Sequence, residues 1–138
     1  MLKTILVALD CSDSSERVIE ALTILRVPSQ TKIILAHVLP SPTTDSDLAA
    51  DHPHQSPESL YQNAEKQLQA YQAQISNSVI EIVSGDTSEE IIRLANIHQA
   101  DLIVIGTRGL KGVERVIEGS VSSQVVADAP CLVLVVKS

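Results

Sequence analysis

Five short runs of apolar residues, several of them rich in valine and isoleucine, recur along the chain and are separated by polar or periodic segments. Continuous β-branched runs of this length are typical of strands that are buried on both faces of a sheet. The third run is shorter, and its hydrophobic character alternates along the run. The predicted strands are TILVALD (4–10), KIILAHVL (32–39), VIEIV (79–83), DLIVIG (101–106) and CLVLVVK (131–137).

Four segments with apolar side chains at helical spacing lie between these runs. The first and third begin with capping pairs, Asp13 with Glu16 and Thr87 with Glu90, which would satisfy backbone N–H groups at the helix start. The second follows a long loop and carries its apolar residues in 3–4 spacing. The fourth, SVSSQVVADA, is ended by Pro130, because proline cannot continue a helix.

The order of these elements is βα-βα-βα-βα-β, which predicts the fold class. Alternation of strand and helix indicates an α/β fold in which a parallel sheet is covered by helices on both faces. The 138 residues are expected to form a single domain, 1–138. In such sheets ligands bind beyond the carboxyl ends of the strands, where the strand order reverses. Asp10, Val38 and Gly106 end the first, second and fourth predicted strands, so a site is expected around them.

The segment between Leu39 and Glu58 is predicted to be a long loop, because it holds four of the six prolines. At about 18 residues it exceeds the usual connection inside a compact domain, which indicates a flexible segment, either a mobile lid or a disordered stretch. His52 and His54 lie in it among aspartates, so weak binding of a divalent metal is conceivable. Incidental histidines in a solvated loop are the favoured interpretation, because no second ligand pair has a structural spacing.

Composition narrows the possible partners. The formal net charge is −7, and the chain has two Tyr but no Phe or Trp. A nucleic-acid surface needs a basic face and usually aromatic side chains for stacking, so no nucleic acid is expected as a partner. No apolar run approaches the roughly 20 residues of a membrane span, so no membrane is expected either. Two cysteines, Cys11 and Cys131, indicate no disulfide framework, and the predicted location is cytoplasmic.

Two further histidines and Cys11 are other candidates for functional residues. His37 lies inside the second predicted strand and His98 near a helix end, which are ordinary structural positions. Cys11 adjoins Asp10 near a helix start, where the thiol pKa is lowered in general. A redox role for Cys11 is therefore a hypothesis, but a less favoured one than a structural role.

Four of the five glycines are crowded into the segment 106–124. Gly106 and Gly109 would let the chain turn sharply and let backbone N–H groups approach a ligand. Gly119-Ser120 is predicted to open a helix, whose first N–H groups are unpaired and attract anions. Basic residues in the same segment, which favour a phosphate-bearing ligand, are Arg108, Lys111 and Arg115. The alternative is that these glycines only turn a long connection and that Ser120 is an ordinary cap.

The spacing excludes two common phosphate motifs and matches a third. The chain has no G-x-x-x-x-G-K-[ST] loop and no G-x-G-x-x-G after the first strand. It does have G-x2-G-x9-G-[ST], formed by Gly106, Gly109, Gly119 and Ser120, which resembles the nucleotide motif of the universal stress protein family. Other stretches that look like that family are ILVALDCSDSS, LAHVL, SGDTSEEIIRLA, ADLIVIGTRG and APCLVLVV.

The resemblance implies a Rossmann-like fold (adenine nucleotide alpha hydrolase-like) with sheet order 3-2-1-4-5. It also implies binding of ATP or of the related nucleotides ADP and AMP, with Mg²⁺ as a possible companion ion. Asp10 would hold the ribose or adenine with Ala8 and Leu9 beside it, and the backbone of Val38 would read the adenine edge. The residues that would line the sugar and phosphates are Ile105, Gly106, Thr107, Arg108, Gly109, Gly119, Ser120, Val121 and Ser122.

The resemblance further implies a homodimer through the last strand. That strand is uniformly apolar, a poor sequence for an edge open to water, and its residues are Leu132, Val133, Leu134, Val135 and Val136. The favoured function is a nucleotide-responsive module in stress or signalling. The alternative is a slow ATPase or self-phosphorylating enzyme on the same fold. A receiver-like signalling domain is less favoured, because Asp86 comes too late for the third acid of such a site.

Overall fold

A computed structural model of the chain describes residues 2–10, 15–39, 57–106 and 113–137, with the backbone alone for 57 and 113–120. Strands and helices alternate through these residues as the hydrophobic pattern predicts. The elements are β1 (Thr4–Ala8), α1 (Ser15–Leu25), β2 (Lys32–Leu39), α2 (Pro57–Gln72), β3 (Ser78–Ser84), α3 (Thr87–His98), β4 (Leu102–Gly106), α4 (Val113–Asp128) and β5 (Leu132–Val136).

The strands form one parallel sheet in the order β3-β2-β1-β4-β5, which confirms the predicted fold class and strand order. β1 lies at the centre, with Ala8 opposite Ala36 of β2 on one side and opposite Ile105 of β4 on the other. The carboxyl ends of β1, β2 and β4 therefore meet at one edge of the sheet. Strand order reverses there, as the sequence pattern requires for a ligand site.

Alternate side chains of β1 enter two separate cores, one on each face of the sheet. Leu6 packs with Ile91 and Leu94 of α3 and with Val125 of α4. The neighbouring side chains of β1 pack on the opposite face, against α1 and α2. Members of that second core include Ile5, Val7, Val18, Leu22 and Leu68. Burial of each such aliphatic side chain contributes about 1.5–3 kcal/mol, so β1 is held from both faces.

The start of α3 differs from the prediction. Asp86, not Thr87, is the N-cap: its backbone is extended and its carboxylate accepts from the Glu89 N–H group at 3.1 Å. The Asp86 carbonyl also accepts the first helical bond, from the Glu90 N–H group at 2.9 Å. Glu90 does not complete a capping box, since its carboxylate contacts Arg93 at 2.6 Å. The predicted Thr87–Glu90 pair was therefore wrong by one residue.

The start of α4 also differs from the prediction. The helix begins at Val113, so Gly119 and Ser120 lie inside it and do not open it. The stretch VERVIE before Gly119 lacks proline and can continue as a helix. A glycine in a helix interior costs about 1 kcal/mol relative to alanine, which neighbouring residues can offset. The prediction that Gly119-Ser120 opens a helix was therefore wrong, whereas a part for these residues in anion binding stays a prediction.

Several sequence-based predictions lie outside the described residues. They are the Asp13 cap, Cys11, the part of the proline-rich loop from 40 to 56 with His52 and His54, and the segment 107–112. Among the described residues, no helix has both the length and the apolar character needed to cross a membrane.

Candidate functional site

A cavity of about 220 Å³ opens at the carboxyl ends of β1, β2 and β4, at the edge where the strand order reverses. Helices from both faces of the sheet complete its walls. The described residues that line it are Ala8, Leu9, Asp10, Ser15, Val18, Ala36, His37, Val38, Thr87, Ile91, Ile105, Gly106 and Val121. These described residues come from six elements, so the cavity brings together residues that are far apart in the sequence.

Aliphatic side chains from separate elements form much of the cavity wall. Val18 comes from α1, Val38 from β2, Ile91 from α3, Ile105 from β4 and Val121 from α4. Apolar side chains beside a few converging polar groups are typical of small-molecule sites.

Asp10 is the carboxylate of the cavity and is held between the end of β1 and the start of α1. It lies two residues after Ala8, and its Oδ1 atom accepts a hydrogen bond from the Ser15 hydroxyl at 3.2 Å. Ser15 is the first residue of α1 and is buried, with 1% of its surface exposed. A carboxylate in this position can accept hydrogen bonds from the hydroxyl groups of a sugar.

His37 of β2 lines the cavity next to Leu9. The Nδ1 atom of its ring lies 2.7 Å from the Leu9 carbonyl oxygen, and the Leu9 N–H group donates to the Ala36 carbonyl at 2.8 Å. Both polar groups of the Leu9 backbone are thus bonded to β2. The interpretation of His37 as an ordinary strand position overlooked this contact, because it depends on the register between β1 and β2.

Thr87 and Ile91 bring the start of α3 to the cavity. Thr87 is the first residue of the helix, directly after the Asp86 cap, and Ile91 follows one turn later. Sequence reasoning assigned Thr87 to a capping box only. Its place at the carboxyl side of β3, close in the sequence to a strand end, was the signal that could have identified it.

The universal stress protein family model matches residues 1–137, essentially the whole chain. The chain belongs to the universal stress protein family. It is 34% identical over 142 residues to a putative universal stress protein of Staphylococcus aureus strain USA300, covering 99% of this chain and 84% of that protein. A shorter match, 47% over 57 residues, relates it to the universal stress protein MJ0531 of Methanocaldococcus jannaschii and spans 41% of this chain but only 34% of that protein.

Solved structures share the fold of this universal stress protein domain. Hypothetical protein MJ0577 superimposes with a TM-score of 0.81 at 24% identity, over 100% of this chain and 97% of its own. A universal stress protein in complex with cAMP gives 0.69 at 24% identity, over 99% and 97%. A family member from Arabidopsis thaliana with AMP bound gives 0.67 at 24% identity, over 98% and 91%.

The structure brings about half of the predicted site residues together. Those that line the cavity are Ala8, Leu9, Asp10, Val38, Ile105, Gly106 and Val121. Ser122 lies beside Val121 on α4 and is buried, but it is not among the lining residues. Thr107, Arg108 and Gly109 lie outside the described residues, and Gly119 and Ser120 are described only as helical backbone.

The polar groups of the cavity are few and come from different elements. Among the described lining residues, Asp10 supplies the carboxylate, His37 an imidazole, and Ser15 and Thr87 hydroxyl groups. No lysine or arginine occurs among these described lining residues. Within the described ranges, no group of three or more His, Cys, Asp or Glu side chains is arranged to hold a metal ion.

Proposed function

We propose that this chain binds an adenine nucleotide, ATP or its relatives ADP and AMP, in the cavity beside Asp10, and that it acts as a homodimeric nucleotide-responsive module in stress or signalling. The observation that carries the proposal is the cavity at the strand-order reversal, lined by Asp10, Val38 and Gly106. Membership of the family supports it. So do the family structures with cAMP and with AMP, whose ligands share the adenosine part.

The base and the sugar would occupy the cavity itself. Complete small-molecule sites usually enclose about 300–1,000 Å³, so the 220 Å³ here suits part of a nucleotide. The aliphatic walls would contact the adenine ring, and the backbone of Val38 would read its edge. The Asp10 carboxylate would accept hydrogen bonds from the ribose hydroxyl groups.

The phosphates would extend away from Asp10, because two negative groups repel each other in a partly buried site. Beyond Gly106, the segment 107–112 carries Arg108, Gly109 and Lys111, and it leads to α4. The unpaired N–H groups at the start of α4 lie at Val113 and the residues after it, where the helix dipole favours anions.

Gly119 and Ser120 of the motif lie inside α4 and not at its start. These two residues lie in the second turn of α4. Backbone N–H groups at such a position bond within the helix. Phosphate contacts through Gly119 and Ser120 would therefore require the turn before them, 113–118, to open, and we propose such contacts only together with that opening.

The proposed homodimer rests on β5, which forms one edge of the sheet. Leu132 of this strand is 70% exposed. An apolar edge strand with free backbone groups is a template for pairing with a second copy. Pairing about a two-fold axis would cover both copies of the strand.

The proposal is tested by the small molecules that the protein retains. The native protein is purified gently and denatured, and the released nucleotides are separated and quantified. Val121→Phe places a larger side chain in the cavity wall, whereas Val126→Phe makes the same change at an exposed position of the same helix. We expect adenine nucleotide from wild type and Val126→Phe, and much less from Val121→Phe.

Four other results would each be informative. ATP alone would favour a binding module, whereas ADP that accumulates in proportion to protein would indicate turnover. Equal release from all three proteins would place the nucleotide outside the cavity. No release, together with no binding of added nucleotide, would contradict the proposed function.

A further inference from the structure

His37 has a contact that the proposed binding mode does not use. Its Nδ1 atom lies 2.7 Å from the Leu9 carbonyl oxygen, within hydrogen-bond distance. A carbonyl oxygen only accepts hydrogen bonds, so the Nδ1 atom must carry the proton and donate. The contact therefore fixes the ring as the Nδ1–H form when the imidazole is neutral, with Nε2 as its acceptor.

The contact lies where the chain leaves the sheet. The pairing of β1 with β2 ends at Ala8 opposite Ala36. The next residue, Leu9, is held by two further bonds to β2, one from its N–H group to the Ala36 carbonyl and one from the His37 ring to its own carbonyl. The peptide group that contains this carbonyl leads directly into Asp10. Its orientation consequently sets the direction in which the Asp10 side chain leaves the backbone.

On its other side, the Asp10 carboxylate accepts from the Ser15 hydroxyl at 3.2 Å, a distance at the long end for a bond of this kind. The bond from the His37 ring to the Leu9 carbonyl, at 2.7 Å, is shorter than this one. Loss of that bond would allow the Leu9–Asp10 peptide to rotate, while the buried Leu9 side chain, with 4% exposed surface, would keep β1 in the core. The expected consequence is a misplaced carboxylate in an otherwise folded protein.

From this arrangement we infer that His37 is a positioning residue of the cavity: its Nδ1–H group holds the Leu9 carbonyl and thereby orients Asp10 toward the ligand. This inference rests on the proposed function, since it assigns His37 a part in nucleotide binding. His37 acts through Asp10 and not through a contact of its Nε2 atom with the nucleotide.

Two substitutions of His37 test the roles of its two ring nitrogens separately. The amide nitrogen of asparagine is attached at the same covalent position as Nδ1 of histidine, and that of glutamine corresponds to Nε2. His37→Asn therefore keeps a donor for the Leu9 carbonyl and loses the distal nitrogen, whereas His37→Gln keeps the distal one. His98→Gln is the matched control, because His98 bonds to Glu81 at 3.0 Å and does not line the cavity.

The test measures the Kd for ATP and AMP by titration calorimetry, with urea unfolding of each variant as a check on folding. We expect His37→Gln to bind about tenfold more weakly, the effect of one hydrogen bond to a charged group. We expect His37→Asn to stay within about threefold of wild type and His98→Gln to match it. Equal affinity of His37→Gln and wild type would overturn the inference, and so would a loss in His37→Asn as large as in His37→Gln.

A double-mutant cycle with Asp10→Ala tests whether His37 acts through Asp10. If it does, His37→Gln causes no further loss of affinity in the Asp10→Ala background. A full tenfold loss in that background would show a direct contact and would overturn the positioning role. Nitrogen-15 NMR of the ring, recorded without nucleotide, provides an independent readout: the Nδ1–H form is expected, and the Nε2–H form would contradict it.

The outcomes for His37 and for the proposed function are distinguishable. Wild type that binds no adenine nucleotide would contradict the proposed function and the inference together. Wild type that binds, with unchanged affinity in folded His37→Gln, would overturn the inference alone.

Discussion

At the scale of single residues, Asp101 shows how one carboxylate can hold an element in place. Its Oδ2 atom accepts from the backbone N–H groups of Lys3 at 2.8 Å and Thr4 at 3.0 Å, and its own N–H group donates to the Thr4 carbonyl at 2.8 Å. Asp101 thus ties the start of β1 to the start of β4. The backbone bond from Lys3 first, and that from Thr4 next, hold the pKa of Asp101 below its usual value.

The lowered pKa of Asp101 predicts the direction in which the stability of the fold changes with pH. A carboxylate whose pKa is lower in the folded state stabilises the fold above its unfolded pKa of about 3.9, and that stabilisation is lost as the pH falls through the folded value. We predict that Asp101→Asn is less resistant to urea than wild type at pH 7 and that the difference narrows below about pH 4. Glu20→Gln, an exposed change on α1, serves as the control. A difference that is the same at both pH values would contradict this assignment.

The site residues divide according to what a sequence pattern can reveal. Asp10, Val38 and Gly106 could be predicted, because they lie at or next to the ends of apolar runs and the ends of parallel strands meet at one edge. His37 and Ser15 could not, because their contacts depend on strand register and on where a helix begins. His37 is next to Val38 and Ser15 lies five residues after Asp10, and only the three-dimensional arrangement shows that the His37 ring faces Leu9 and the Ser15 hydroxyl faces Asp10.

At the scale of elements, the existence and order of helices and strands followed from periodicity, but two helix starts did not. Asp86, Thr87 and Ser88 can all act as caps, and the sequence alone does not select among them. In the structure Asp86 is the cap, and it directly follows Gly85, whose φ of 142° is a conformation that other residues rarely adopt. At α4, Gly119 resembles a helix start in the sequence, but the helix already begins at Val113.

The cap assignment makes a direct prediction for α3. Asp86→Ala removes the acceptor for the Glu89 N–H group and is expected to lower the free energy of unfolding by about 1 kcal/mol. Thr87→Ala, one residue later, leaves the cap intact and is expected to cost less. Urea unfolding of both variants provides the measurement. A larger loss in Thr87→Ala than in Asp86→Ala would restore the capping box that the sequence suggested.

At the scale of the whole molecule, the strand order 3-2-1-4-5 explains both the position of the cavity and the open edge at β5. The order was predictable only through the resemblance to a family, because βαβ alternation by itself does not determine which strands are neighbours. The family match over residues 1–137 and the TM-score of 0.81 to MJ0577 confirm that part of the prediction. The pairing of β5 with a second copy remains a proposal.

That proposal predicts the effect of a charge on the edge. Leu132→Lys places an ammonium group at a residue that is 70% exposed in one copy, so the fold should tolerate it, whereas an apolar interface should not. Sedimentation velocity is expected to show a dimer for wild type and a monomer for this variant. Ile97→Lys, at a residue 58% exposed on α3, is the control and should remain dimeric. A monomeric wild type, or a dimeric Leu132→Lys, would contradict an interface through β5.

Equilibrium binding to a matched pair of variants tests whether the cavity beside Asp10 binds an adenine nucleotide. The Kd for AMP and ATP is measured by calorimetry for wild type, Asp10→Asn and Asp101→Asn, with GTP as the control for the base. Asp101 lies at the amino end of the sheet, opposite the cavity, so its variant makes the same chemical change away from the site. We predict that Asp10→Asn binds at least about tenfold more weakly, because a hydrogen bond to a charged group contributes about 1.5–3 kcal/mol. Asp101→Asn is expected to bind like wild type. Equal affinity of Asp10→Asn and wild type would contradict the account.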